Sequence, residues 1–290
     1  VFTVTEEQKQ YLTYILQDTN SDSKVEVVPE RGGIVTRWQL QGQDILAMDW
    51  ERFTHPELSV RGGIPILFPI CGNLPDDAYT VNGKQYKLKQ HGFARNSAWE
   101  VTEQSHGSCA SLTVLLNSSE DIRAVYPFDF KVAFTYEVLG NSLTIKQSYT
   151  NLSEETMAFA TGFHPYFKVE DKSQLAVDIP ATEYVAKDTQ EIIPFDGSFD
   201  YDREEIDAAF PGVSKDSTSF TDNQRGLKVE ISYPELFSTV VFWTVKGKDF
   251  ICLEPWSAPR NALNTGDKLT RLEPGSSLET WIKLTANFIE

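Results

Sequence analysis

The sequence predicts an all-β fold: a large antiparallel β-sandwich with few short helices. Three observations carry that prediction. Apolar and polar residues alternate in short stretches rich in Val, Ile, Thr, Phe and Tyr, from about residue 24 to the C-terminal end. Glycine, asparagine and proline separate those stretches as turn residues do. Only two short segments read as helix. The chain has 290 residues, 40% of them hydrophobic, enough for a large core. No fixed-period repeat, low-complexity tract or composition shift marks a linker, so residues 1–290 are expected to form a single domain.

In chain order, residues 5–16 (TEEQKQYLTYIL) read as a helix capped by Thr5. Residues 24–29 (KVEVVP) alternate as a strand, and 32–46 as two short strands around Gly42. Residues 59–72 (SVRGGIPILFPICG) cannot be a central strand along their length, because Pro65 and Pro69 donate no amide hydrogen. They read as an irregular wall with Arg61 at its mouth, or as a core-packing loop with an exposed arginine. The lysine and the Ser/Thr of a phosphate loop are absent. Strands follow at 108–119, 128–140 and 141–153, the last two joined as a hairpin at Gly140-Asn141. Residues 118–127 are the second helical candidate. Further strands lie at 156–169, 226–234, 237–245, 249–256 and 277–288. The polar, acidic, weakly periodic segment 186–224 reads as a long excursion over the sheet.

A net charge of −16 and a pI of about 4.7 argue against nucleic acid and anionic membrane surfaces as partners. No stretch reaches the roughly 18–20 apolar residues of a membrane span. The N-terminal VFTVTEEQKQYL has no basic segment followed by an apolar one, so no secretory signal is expected. Cys71, Cys109 and Cys252 are widely spaced with no CxxC, which suits free thiols in a reducing cytoplasm. A monomer or weak homodimer is the expected state.

Four histidines are present. His55 and His106 stand in turn-like contexts and read as surface residues. His91 lies in KQHGFARNSAW, beside Gly92 and four residues before Arg95, and His164 lies in GFHPYF. Each is either a hydrogen-bonded core histidine or an active group, and spacing alone leaves both open. In DFICLEPW, alternation puts Glu254 on one strand face with Cys252 and Trp256. A carboxylate there is partnered, functional, or at an exposed strand end. No HxH or HxxxH spacing supports a metal triad of His91, His164 and Glu254, so no metal is expected.

The stretches RGGIPILFP (61–69), HGFAR (91–95), FHPYF (163–167) and ICLEP (251–255), in this order, resemble the aldose 1-epimerase (galactose mutarotase-like) superfamily. The resemblance runs from about residue 24 to the C-terminus. RGGIP and HGFAR are most similar to the branch acting on hexose 6-phosphates. The resemblance implies an antiparallel β-supersandwich. It implies His164 as general acid, Glu254 as general base and His91 as a histidine that binds sugar hydroxyls. It places Arg61 and Arg95 near the sugar and, in the phosphate branch, near its phosphate. The family's mid-chain acidic sugar-binding residue finds its nearest match in EEIDAAF, at Asp207, with alanine where the phosphate branch has an arginine. Other departures from that branch are Ile70 and Cys71 after FP, and Pro165 where it has threonine. They bear on substrate choice more than on chemistry.

Anomer interconversion needs one base to take the O1 proton, one acid to protonate ring oxygen O5, and no cofactor. A carboxylate and an imidazolium suit those roles. Acidic surroundings are expected to help keep His164 protonated. Phe163, Tyr166, Phe167 and Trp256 would pack the sugar's CH faces or lock the imidazole. The expected partner is a small-molecule hexose or hexose 6-phosphate. The rival from another class is a non-catalytic carbohydrate-binding protein on the same fold. A glycosidase would need two carboxylates flanking the bond, and the motifs supply one.

Overall fold

The computed structural model describes residues 1–289. Side-chain alternation explains how its strands pair. In Phe130–Leu139 the side chains of Phe130, Val132, Phe134, Tyr136 and Val138 are buried and their neighbours less so. This strand pairs antiparallel with Ser142–Asn151, and Leu139 faces Ser142 across Gly140-Asn141. Gly140 takes φ 61°, the conformation a type II′ hairpin turn asks of its first central residue.

The hairpin lies inside an eight-stranded sheet. From edge to edge that sheet runs Leu175–Asp178, Ser217–Asp222, Leu227–Ser232, Ser277–Phe288, Ser142–Asn151, Phe130–Leu139, Ala110–Asn117 and Glu100–Ser105. A second eight-stranded sheet runs Ile192–Pro194, Glu183–Ala186, Glu205–Pro211, Thr239–Val245, Phe250–Trp256, Gly162–Phe163 and Ile66–Leu67, with Tyr166–Lys168 also paired to Phe250–Trp256. Its aromatics meet the first sheet: Phe163 lies 5.8 Å from Phe134, and Phe167 lies 5.1 Å from Phe220. A five-stranded sheet, Phe2–Gln8 to Gln43–Asp44, packs at the N-terminal side. One contiguous set of buried side chains runs through all three sheets. No helix is long and apolar enough to cross a membrane among the described residues.

Two expectations change. Residues 5–16 are not helical: Phe2–Gln8 and Leu12–Asp18 form an antiparallel pair, with the polar Lys9-Gln10 in the bend. The second of these strands also pairs with Ser23–Val28 and buries Tyr14 and Leu16, so tertiary pairing overrides the helical propensity of EEQKQ. Nor is 186–224 only an excursion, because Glu205–Pro211 and Ser217–Asp222 each enter one of the large sheets. Small alanines on both faces of EIDAAFP, and the polar STSFTD, hid the period of two. The second helical candidate stands: Glu120–Val125 is a helix whose Ser119 hydroxyl accepts from the Ile122 amide at 3.2 Å. Within 59–72 only Ile66–Leu67 is a strand, as the prolines require.

Candidate functional site

The site forms where Gly162–Phe163 and Tyr166–Lys168 flank the strand Phe250–Trp256. The backbone break at His164-Pro165 is braced from outside, His164 N–H donating to Pro65 O and Tyr166 N–H to Gly63 O. The period of two then sorts the aromatics. Phe163 and Phe167 face the core, whereas His164 and Tyr166 face the cavity. The imidazole of His164 stacks on the Tyr166 ring at 4.7 Å and 12°, and the Trp243 ring meets its edge at 5.6 Å. Tyr166 and Trp243 therefore fix its rotamer, so of the four aromatics proposed for this task Tyr166 performs it.

Glu254 lies in the middle of its buried strand, 1% exposed. Its Oε2 accepts from Trp256 Nε1 at 3.1 Å, which confirms the shared strand face, and its Oε1 lies 3.3 Å from His164 Nε2. Burial, with Asp207 nearby, raises the Glu254 carboxyl well above the usual carboxylate range. Burial, with Arg95 and Arg260 nearby, pushes His164 down to about 3. The contact thus joins a neutral carboxyl and a neutral imidazole, a pair that holds a single transferable proton. The expectation that acidic surroundings keep His164 charged is corrected: the charges that shift it are the guanidinium groups of Arg95 and Arg260, and both lower it.

His91 adopts φ 66° between the cavity and the 59–72 wall. Its amide donates to Gly72 O at 2.7 Å and its Nδ1 accepts from the Gly72 amide at 3.0 Å. Burial, with His164 and Arg95 nearby, holds the ring well below its ordinary range, hence neutral. With Nδ1 accepting, the ring proton sits on Nε2, which makes His91 a fixed donor. A side chain at Gly92 would collide with Phe68 O at 2.2 Å, so the HG step is needed for this close approach.

All six residues proposed from the sequence line one cavity of about 240 Å³, with Lys187, Glu205 and Arg260 besides. Pockets for drug-sized ligands measure about 300–1,000 Å³, so this smaller volume suits a monosaccharide. Larger hollows of about 640 and 710 Å³ lie elsewhere, and neither gathers an acid–base pair. Asp207 comes in from Glu205–Pro211 and is gripped by Arg260, whose Nη2 donates to both its oxygens at 2.7 and 3.0 Å, and by Lys187 Nζ at 3.2 Å. Arg260 also lies over the Trp256 ring at 5.1 Å. Arg61 stands exposed at the mouth. Arg95 donates to Gln90 O at 2.9 Å. Among the described residues neither arginine has a carboxylate within ion-pair distance, unlike Arg260 and Lys187. Sequence reasoning missed Lys187 and Arg260, because neither stands in one of the four stretches.

Comparison with known proteins places the chain by fold and family. The Slr1438 protein of Synechocystis sp. PCC 6803 has a solved structure similar to this chain at a TM-score of 0.95 and 45% identity, covering 99% of this chain and 100% of that one. A galactose mutarotase related enzyme from Lactobacillus acidophilus shares the fold at a TM-score of 0.78 and 24% identity, covering 96% and 98% of the two chains. The chromosomal LacX protein of Lactococcus lactis is 26% identical over 239 residues, 72% of this chain and 78% of its own length. A Cenchrus ciliaris protein whose name proposes glucose-6-phosphate 1-epimerase activity is 29% identical over 157 residues, 51% of this chain and 44% of its own. The family model described as aldose 1-epimerase matches residues 14–285, and the chain therefore belongs to the aldose 1-epimerase family.

Proposed function

We propose that this isomerase interconverts the α and β anomers of a hexose 6-phosphate, with His164 as the proton donor to ring oxygen O5 and Glu254 as the base at O1. The observation that supports it most is the 3.3 Å contact between His164 Nε2 and Glu254 Oε1 at the buried end of a sugar-sized cavity. Ring opening moves one proton off O1 and one onto O5, and rotation about C1–C2 followed by closure returns both. The pair must therefore hold one proton and be able to carry it at either member. A neutral carboxyl beside a neutral imidazole has the same proton count as a carboxylate beside an imidazolium. A sugar O1–H donating to Glu254 favours the carboxylate, and so drives the proton to His164. Each positioned group contributes on the order of 10²–10⁴-fold.

Binding is divided by charge. His91 Nε2–H suits a sugar hydroxyl oxygen, and Asp207 suits a hydroxyl hydrogen. Arg61 and Arg95, free of carboxylates, suit a phosphate. Polarimetry on freshly dissolved α-D-glucose and α-D-glucose 6-phosphate tests the reading. Faster anomerisation of the phosphate ester is expected. A faster reaction with free glucose or galactose would reassign the substrate, and sugar binding without anomerisation above the spontaneous rate would favour a binding protein.

A further inference from the structure

Cys252 takes no part in that mechanism, yet it is fully buried on the same strand and face as Glu254. Its Sγ, a ring nitrogen of His164 and a carboxylate oxygen of Glu254 all lie within 4.8 Å of one another. Among the described residues no other group of three His, Cys, Asp or Glu side chains comes together in this way. His164 Nδ1 is also buried without a hydrogen-bond partner.

We propose that His164, Cys252 and Glu254 form a site for a thiophilic divalent cation of the Zn²⁺ class, and that a cation held there blocks the acid–base pair. One sulfur, one nitrogen and one oxygen are the ligand types that such an ion accepts, at about 2.3, 2.0–2.1 and 2.0–2.2 Å. Tetrahedral placement at those lengths puts ligand atoms roughly 3.3–3.6 Å apart. His164 Nε2 and Glu254 Oε1 already stand at 3.3 Å, and the three ligand atoms lie within 4.8 Å of one another, so closure asks for a shift of at most about 1.5 Å at the thiol. Mg²⁺ and Ca²⁺ demand oxygen ligands and do not fit. His164 and Glu254 both line the sugar cavity, so cation and substrate compete for the same two side chains. Binding releases to solvent the Cys252 thiol proton and the one proton held between His164 and Glu254, since every ligand must be deprotonated. Arg95, Arg260 and Lys187 flank the pair and oppose the cation, which makes this an inhibitory site weaker than a structural zinc site.

Cobalt titration of the full chain tests the site by a readout independent of activity. One Co²⁺ per chain should give thiolate-to-cobalt charge-transfer absorption in the near ultraviolet. Cys252→Ala should abolish it, while Cys109→Ser should keep it. Zn²⁺ should inhibit mutarotation reversibly, with a chelator restoring the rate. Cys252→Ala should keep the metal-free rate and raise the inhibitory Zn²⁺ concentration by about 10–100-fold. If the alanine variant does not fold, Cys252→Val fills the same space without a ligand atom. No charge-transfer band, or one equal in the Cys252 variants, would overturn the proposal. The blocking effect rests on the acid–base reading, and the two fail separately. A cobalt band lost with Cys252, but mutarotation undiminished at saturating Zn²⁺, would keep the site and overturn the roles given to His164 and Glu254.

Discussion

His164 Nε2 and Glu254 Oε1 meet at 3.3 Å, although the two residues come from distant parts of the chain. Each side chain is fixed by an aromatic neighbour, Tyr166 stacking on the imidazole and Trp256 donating to the carboxyl. The pair is thus preorganised, and neither group alone can complete the two proton transfers. His164→Asn and Glu254→Gln should each lower kcat by about 10²–10⁴-fold. The double variant should lose far less than the product of the two. Polarimetry measures the rates, and circular dichroism checks that the fold persists. A rate near that of the unsubstituted protein in either single variant would refute the assignment.

The proton count predicts an unusual pH profile. His164 takes a second proton only near pH 3, while Glu254 keeps its proton well above the usual carboxylate range. The working pair therefore survives as pH falls through about 6.5, where an ordinary imidazole would titrate. Because a phosphate ester itself ionises near pH 6, the readout is kcat at saturating substrate, which should stay level there and fall only on approach to about pH 3. An acid limb centred near 6.5 would contradict it.

The same shifts act on stability with opposite signs. The folded pKa of His164 lies below the unfolded value of 6.5, so on acidification the unfolded chain binds that proton first. Stability at this position is present above 6.5 and is lost as pH falls toward about 3. Glu254 is raised, so the unfolded chain ionises first, and its contribution declines as pH rises above 4.5. His164→Asn should flatten the acid side of a urea-midpoint curve between 6.5 and about 3, by at most about 1.4 kcal/mol per pH unit. An unchanged slope would show that other groups govern it.

Arg260 secures Asp207, and that grip should be measurable. Arg260→Ala leaves the 9%-exposed Asp207 carboxylate with Lys187 alone. A lost charge-assisted hydrogen bond costs about 1.5–3 kcal/mol, less the share screened at a partly exposed pair. The variant should melt lower and show a raised KM. Adding Asp207→Asn should recover part of the melting loss, because the stranded charge is gone. Strictly additive losses would mean that the pair is uncoupled.

What the sequence could show follows from how each residue is encoded. His164 and Glu254 stood out because each interrupts an apolar run, but the pattern left their roles open, and the roles given to them and to His91 came from the resemblance of the four stretches to the family. The sandwich was legible because alternation is a local signal. The proton arrangement was not, since it depends on Arg95 and Arg260 facing His164 from other segments. Lys187 and Arg260 were missed for the same reason. Arg260 follows Glu254 in SAPR, a segment without periodicity, and only folding brings it onto Asp207. The N-terminal hairpin was misread because EEQKQ carries helical propensity, while the strand it pairs with, Leu12–Asp18, is held in turn by Ser23–Val28.

Substrate charge gives the last test. The cavity gathers four cations, but Lys187 and Arg260 are engaged by Asp207. Arg61, in the 59–72 wall, and Arg95 remain, in a chain whose net charge of −16 would otherwise repel a phosphate. If they hold the phosphate of a hexose 6-phosphate, Arg61→Ala and Arg95→Ala should raise KM for glucose 6-phosphate by about 10-fold or more. KM for free glucose should move little if, as proposed, His91 and Asp207 serve its hydroxyls. Added salt should weaken phosphate binding in the unsubstituted protein, and less so in Arg61→Ala, where one screened contact is already gone. Equal rises for both sugars would instead make these arginines part of the cavity's frame and return the choice of substrate to a free aldose.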